Sequence, residues 1–193
     1  MTTKFVSRAG EKLEHAITHF DIKVTGLVCA DFGSSTGGFT DCLLKRGASL
    51  VYAVDTAYGE LDWQLRNNPK VVVMERTNAM YVELPQKADI ITIDTGWTKQ
   101  LNILPSVKKN LKDSGLVITL LKPHYESPPD FLRQGKLMDE FFDKVMTTIR
   151  QDIKNCGFDI VDMTKSPILG SKARNKELLA LLKKSPEAAD ISE

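Results

Sequence analysis

The feature that most constrains this chain is an alternation of short apolar runs with helix-spaced stretches. The runs are Leu27 to Ala30, Leu50 to Val54, Val71 to Met74, Ile90 to Ile93, Leu116 to Leu121 and Phe158 to Met163, most of them rich in Val and Ile. Continuous apolar runs of four to six residues mark strands buried on both faces, as in parallel sheets. Between them, Phe39 to Lys45, Asn102 to Leu111 and the long stretch Phe131 to Asn155 have helical spacing, the last stopped by Cys156-Gly157. The first two runs and the helix between them form a β-α-β unit. This order predicts an α/β fold, an open, doubly wound and mostly parallel sheet whose ligand crevice lies at the carboxyl ends of the strands. Asp31, Asp55 and Asp94 all fall at such ends. One segment is ambiguous: KELLALLK, 176–183, favours helix on local propensity.

A chain of 193 residues, at roughly 150 residues per domain, makes one domain. We place it at 1–183, followed by a polar, disordered tail at 184–193. The 26 basic and 25 acidic residues leave a net charge of +1, which removes the simplest argument for a nucleic-acid binder. The three cysteines are far apart and form no CxxC pair, so neither a disulfide framework nor a zinc site is indicated. His15, His19 and His124 form no metal-binding frame, and no metal is expected. The charged start lacks the apolar core of a signal peptide, and no apolar run approaches the roughly 20 residues of a membrane helix. A cytoplasmic protein without membrane contact is expected.

The strongest local signal is the turn Asp31-Phe-Gly-Ser-Ser-Thr-Gly-Gly-Phe39, which leads from a strand end into a helix. Glycines there let backbone N–H groups approach a ligand at a helix N-terminus. The spacing is neither GxGxxG nor GxxxxGK, and no lysine ends the loop, so a phosphate cradle is excluded. Asp55 ends the next strand, where nucleotide folds place the carboxylate that binds ribose hydroxyls. An adenosine without phosphates fits, and S-adenosylmethionine has that chemistry. Asp31, Gly33, Ser35, Gly37, Gly38, Phe39 and Asp55 are the candidate cofactor residues.

The segments VSRAGEKLEHA, ADFGSSTGGFTDCLLKRGA, VYAVDTAYGELDWQLRNNPKVVVMERTN, ITID and LLKPHYE closely resemble the catalytic domain of the TlyA group, often labelled hemolysin A, within the FtsJ-like ribose 2'-O-methyltransferases. The resemblance spans roughly Val6 to Lys183. It implies a Rossmann-like seven-stranded sheet ending in an antiparallel hairpin, which turns KELLALL into a strand. It also implies S-adenosylmethionine as cofactor and RNA, ribosomal RNA or a ribosomal subunit, as partner. Relatives of this kind usually carry an N-terminal S4 RNA-binding domain, and this chain starts where that domain would end.

By motif, the Lys-Asp-Lys-Glu tetrad of FtsJ-like enzymes falls on Lys12, Asp94, Lys122 and Glu177. The cofactor pattern falls on Gly37, Phe39, Asp55, Asn78 and Asp94. In this reading Lys122 assists loss of the ribose 2'-hydroxyl proton, Lys12 adds a second cation, and Asp94 and Glu177 orient the two ammonium groups. Relatives commonly read DVSF and KPQFE where this chain reads Asp94-Thr-Gly-Trp97 and Lys122-Pro-His-Tyr-Glu126, so the substrate side of the site departs from the family. Trp97 and Tyr125 are suited either to stack on a base or to pack against the sheet. From Lys165 to Lys184 six basic residues stand against Glu177 alone. With Lys4, Arg8 and Lys12 they are expected to form a basic face beside the tetrad. A cofactor-binding protein without RNA methylation is the alternative. A cytolysin is disfavoured by the missing export signal and amphipathic β segments.

Overall fold

The structure, a computed structural model, describes residues 4–170 and 175–186. Seven strands form one sheet: β1 (Val28–Phe32), β2 (Leu50–Val54), β3 (Val71–Met74), β4 (Ala88–Ile93), β5 (Leu111–Leu121), β8 (Phe158–Lys165) and β9 (Leu178–Lys184), in the order β3-β2-β1-β4-β5-β9-β8. The first five neighbours run parallel, and β9 lies antiparallel between β5 and β8. The chain winds outward from β1 to β3 and returns to β4 on β1's other side. That reversal opens a crevice past the carboxyl ends of β1 and β4.

Both faces of the sheet are covered, which is why its strands read as unbroken apolar runs. On one face, α1 (Ala9–His19) and α2 (Gly38–Lys45) bury Leu13, Ala16, Ile17, Phe39 and Leu43 against Cys29, Ile90, Ile118 and Leu179. On the other, α4 (Gln100–Asn110) and α6 (Phe142–Asn155) bury Ile103, Val107, Val145 and Ile149 against Ala30, Ile91, Val117 and Ala180. Neighbours such as Ile90 and Ile91 face opposite layers, as the two-residue period of a strand requires.

Three expectations are corrected. The stretch from Phe131 is not one helix: a small hairpin, β6 (Leu132–Arg133) and β7 (Lys136–Leu137), precedes α6. Gln134 and Gly135, both with positive φ, make its two-residue turn, the geometry that favours glycine. The local helix reading of KELLALLK gives way to the strand that the resemblance implies: β9, from Leu178, pairs along both edges, and those ladders outweigh local propensity. Lys184, assigned to the tail, closes β9; residues 187–193 lie outside the described residues. Two short helices, α3 (Trp63–Arg66) and α5 (Pro123–Glu126), complete the elements near the crevice.

Candidate active site

The tetrad residues come from four separate parts of the chain. Lys12 sits on the buried stripe of α1 beside Leu13 and Ala16, and Glu177 immediately precedes β9. Lys12 Nζ meets Glu177 Oε2 at 2.6 Å, with the two side chains 9% and 5% exposed. Asp94 follows β4 and Lys122 follows β5, adjacent parallel strands, so the two side chains leave the sheet side by side. Lys122 Nζ holds Asp94 Oδ1 at 2.6 Å and donates to the Thr95 carbonyl at 3.1 Å. All four residues line one cavity of about 430 Å³ together with Ser7, Arg8 and His124. A lone helix lysine is usually solvated; this one is buried because its stripe faces the sheet and a carboxylate awaits it.

Lys12 reaches the site because the N-termini of α1 and α2 touch. A Cβ on Gly10 would lie 2.8 Å from the Gly38 carbonyl oxygen, and one on Gly38 would lie 2.9 Å from Gly10 N. Side chains at either position would wedge the helices apart.

A second cavity, about 510 Å³, opens over the carboxyl ends of β1, β2 and β4 and shares Asp94 with the first. Gly33, Ser35, Asp55, Asn78 and Asp94, all candidates from the sequence, line it. Gly33 has φ +89° and packs its Cα side against Asp94, where a Cβ would come within 2.8 Å of the carbonyl oxygen. Asp55 organises the turn: its carboxylate accepts Ser35 N–H and Ala57 N–H, each at 2.8 Å. Ser35 Oγ in turn donates to Glu60 Oε2 at 3.1 Å. The walls add Val54, Ala79, Met80 and Ile103. An acidic rim, an apolar wall and a glycine that clears the floor suit a nucleoside carrying a cationic tail.

The other cofactor candidates are placed differently. Gly38 and Phe39 border a side cavity of about 230 Å³ that also contains Gly33, Ser35 and Asp94. Gly37 turns towards Leu61 and Leu65, with no room for a Cβ. Asp31 lies beneath the crevice, fully buried. Thr40 and Thr92 donate to its carboxylate at 2.8 and 3.0 Å. Burial outweighs these bonds and pushes its carboxyl up to about 7. It ties β1, α2 and β4 together at the switch point, under the ligand cleft rather than in it.

Arg8, expected on the basic face, lines the tetrad cavity; Ser7, beside it in the SRAG motif, and Glu60, within the AYGELDW segment, line the two cavities but went unmarked in the sequence reading. Trp97 is also resolved. It is 78% exposed and lies on Tyr125, ring centroids 4.6 Å apart, instead of on the sheet. Its φ of +62° is costly for a bulky residue. The His124 ring lies tilted against Tyr125, centroids 4.1 Å apart, and burial, aided by Lys122, brings its imidazole down to about 4.

The expected basic face is only partly assembled. Pairing puts Lys165 beside Leu178, near Glu177, whereas Lys183 pairs with Asp159 at the far end of β9. Six residues of strand put Lys183 roughly 20 Å from the tetrad. Lys176 and Lys184 are engaged by Asp139 and Asp113. Lys172 and Arg174 lie outside the described residues.

Comparison with known proteins matches residues 5–183 to the FtsJ-like methyltransferase family. Hemolysin A of Brachyspira hyodysenteriae is 40% identical over 183 residues, covering 92% of this chain and 76% of that protein. The 16S/23S rRNA (cytidine-2'-O)-methyltransferase TlyA of Mycobacterium tuberculosis is 41% identical over 125 residues, 63% of this chain but only 47% of that enzyme. Among solved structures, a Streptococcus thermophilus protein provisionally named a hemolysin superimposes with TM-score 0.91 at 36% identity, covering 96% of this chain and 69% of that one.

Proposed function

Because the chain belongs to the FtsJ-like methyltransferase family, we propose that it methylates ribose 2'-hydroxyls of RNA, with ribosomal RNA the substrate and S-adenosylmethionine the methyl donor. The observation that carries this reading is that two lysine–carboxylate pairs meet in one cavity and share Asp94 with the nucleoside-shaped cleft. The names of the relatives, an rRNA cytidine-2'-O-methyltransferase among them, support the acceptor class.

When bound, S-adenosylmethionine supplies an electrophilic methyl carbon that leaves a neutral sulfur behind. The chain's own part is placement and charge. Gly33, Asp55 and Asn78 would hold the nucleoside end, and Asp94 borders both cavities, where donor and acceptor meet. Lys122 has three N–H donors; Asp94 and the Thr95 carbonyl take two, leaving the third for the attacking oxygen. Its positive charge steadies that oxygen as the O–H bond breaks and the proton passes to solvent water. The Lys12–Glu177 pair forms the opposite wall, a second fixed dipole withdrawn from water.

The test is transfer of a labelled methyl group into total RNA and into ribosomal subunits, followed by nucleoside mapping. We expect 2'-O-methylated nucleosides. Lys122→Ala should abolish transfer while calorimetry still shows donor binding. Label found only on a base or on protein refutes the assignment. Donor binding with no label anywhere means a cofactor-binding protein without RNA methylation.

A further inference from the structure

Asp94 and Lys122 stand at the heads of two segments, Thr95 to Lys99 and Pro123 to Glu126, and three contacts run between them like rungs. At the cavity, Lys122 grips Asp94 and the Thr95 carbonyl. Midway, Tyr125 carries the Trp97 ring. At the far end, the Gln100 backbone N–H donates to Glu126 Oε1 at 2.9 Å. Gln100 is the first residue of α4, whose own cap position, Lys99, supplies no side-chain bond. A carboxylate from α5 therefore satisfies the N-terminus of α4, where negative charge is favoured by the helix dipole. Gln100 is itself 3% exposed and accepts from Thr119 Oγ1 of β5 at 3.1 Å, which anchors this rung in the sheet.

We propose that Glu126 is a positioning residue: its carboxylate locks the Trp97 segment to the Lys122 turn and so keeps the Trp97 ring against Tyr125 beside the tetrad. The Trp97 segment has little else to hold it. Space around Gly96 is open, Trp97 is mostly exposed, and its backbone is strained. Without the Glu126 rung, the Lys122 contacts and one ring contact remain to tie the segment to the Lys122 turn, while its ends are held by Phe32 at Asp94 and by α4 at Lys99. The catalytic consequence of this proposal rests on the function proposed above; its structural content does not.

The charge of the rung changes in the neutral range. Burial pushes Glu126 up to about 7, while the Gln100 N–H and Lys99 pull it down and Asp152 of α6 pushes it further up. Lys122, His124 and Tyr125 are the other titratable groups on the same short turn, and His124 changes charge near 4 instead. Asp31, raised to about 7 beneath the crevice, changes charge in the same range, so the Glu126 variants assign the change and the midpoint alone does not.

The chain has two tryptophans, so in a Trp63→Phe background Trp97 fluorescence reports on this segment directly. In that parent, Trp97 emission and its quenching by iodide should shift with a midpoint near 7. Glu126→Gln, neutral like the protonated carboxyl, should hold Trp97 at every pH in the state the parent reaches below 7, with the shift lost. Glu126→Ala should leave Trp97 more quenchable at every pH. If Glu126→Ala folds, by circular dichroism, and its Trp97 signal matches the parent throughout, the proposal is overturned. If Glu126→Ala does not fold, Glu126→Gln decides: a surviving shift overturns the proposal and its loss supports it. This readout needs no RNA, so it stands or falls apart from the methylation assay. On RNA, Glu126→Ala should raise KM more than it lowers kcat.

Discussion

Lys12 and Glu177 lie 165 positions apart and meet at 2.6 Å, both buried. Each needs the other: a buried ammonium or carboxylate left alone bears its desolvation cost without compensation. Glu177→Ala should therefore cost about 3–5 kcal/mol of stability, measured by urea unfolding. Lys12→Met combined with Glu177→Leu should recover most of that loss. Methyl transfer should stay absent in the double variant. Activity that returned with stability would show the pair to be scaffolding alone.

Gly10→Ala tests the helix contact that delivers Lys12. The new Cβ would lie 2.4 Å from the Phe5 ring and 2.8 Å from the Gly38 carbonyl oxygen. Overpacking of this kind costs about 1–3 kcal/mol. We expect a lowered melting temperature and a larger fall in kcat than in donor affinity, since Gly10 does not line the donor cleft.

Asp31 makes stability depend on pH. Its carboxyl is raised from 3.8 to about 7 by burial, so the folded chain binds the proton more tightly than the unfolded chain does. The stabilisation is complete below about 4 and is lost as pH rises through about 7. Glu126, raised in the same direction, adds to the same slope. Asp31→Asn should flatten the decline over that window at a cost of about 1 kcal/mol for a hydrogen bond its amide cannot reproduce. Chemical denaturation at several pH values checks this. An unchanged slope in the variant would assign the dependence to other groups.

Trp97 offers an exposed ring on the wall of the 510 Å³ cavity, against Tyr125, which lines the tetrad cavity. Loss of one stacked base costs about 1–3 kcal/mol by alanine substitution. Trp97→Ala should weaken RNA binding by that amount while leaving thermal stability close to the parent's, because the ring is 78% exposed. Trp97→Phe should retain most of the affinity. Filter binding at fixed salt reads both variants.

The expected strands are present because their cause is local: runs such as Ile90 to Ile93 and Val71 to Met74 have nowhere to go but a sheet covered on both faces. The turn from Asp31 to Phe39 was legible for a similar reason, since its glycines and strand-end acid form one contiguous pattern. The four tetrad positions could be named from motifs, but not their pairing: nothing in the chain from 12 to 177 says that Lys12 goes to Glu177 and Lys122 to Asp94. The hairpin at Leu132 to Leu137 was hidden inside a stretch with helical spacing. Only the Gln134-Gly135 turn signalled it.

By itself, then, the sequence determined the α/β order, the crevice at the strand ends and the chemical types that surround it. The tertiary structure alone decided which of those groups line a cavity. Asp31 and Asp55 look alike as strand-end acids, yet one is sealed under two threonine hydroxyls and the other holds the cleft's rim. KELLALLK reads as helix until two neighbouring strands claim its backbone. The basic run that ends at Lys184 reads as one face until the strand carries Lys183 and Lys184 to the far end of β9. The physical reason is the same in each case. Propensity and motif act over a few residues, whereas burial, ladder pairing and the direction a strand runs are settled by residues a hundred positions away.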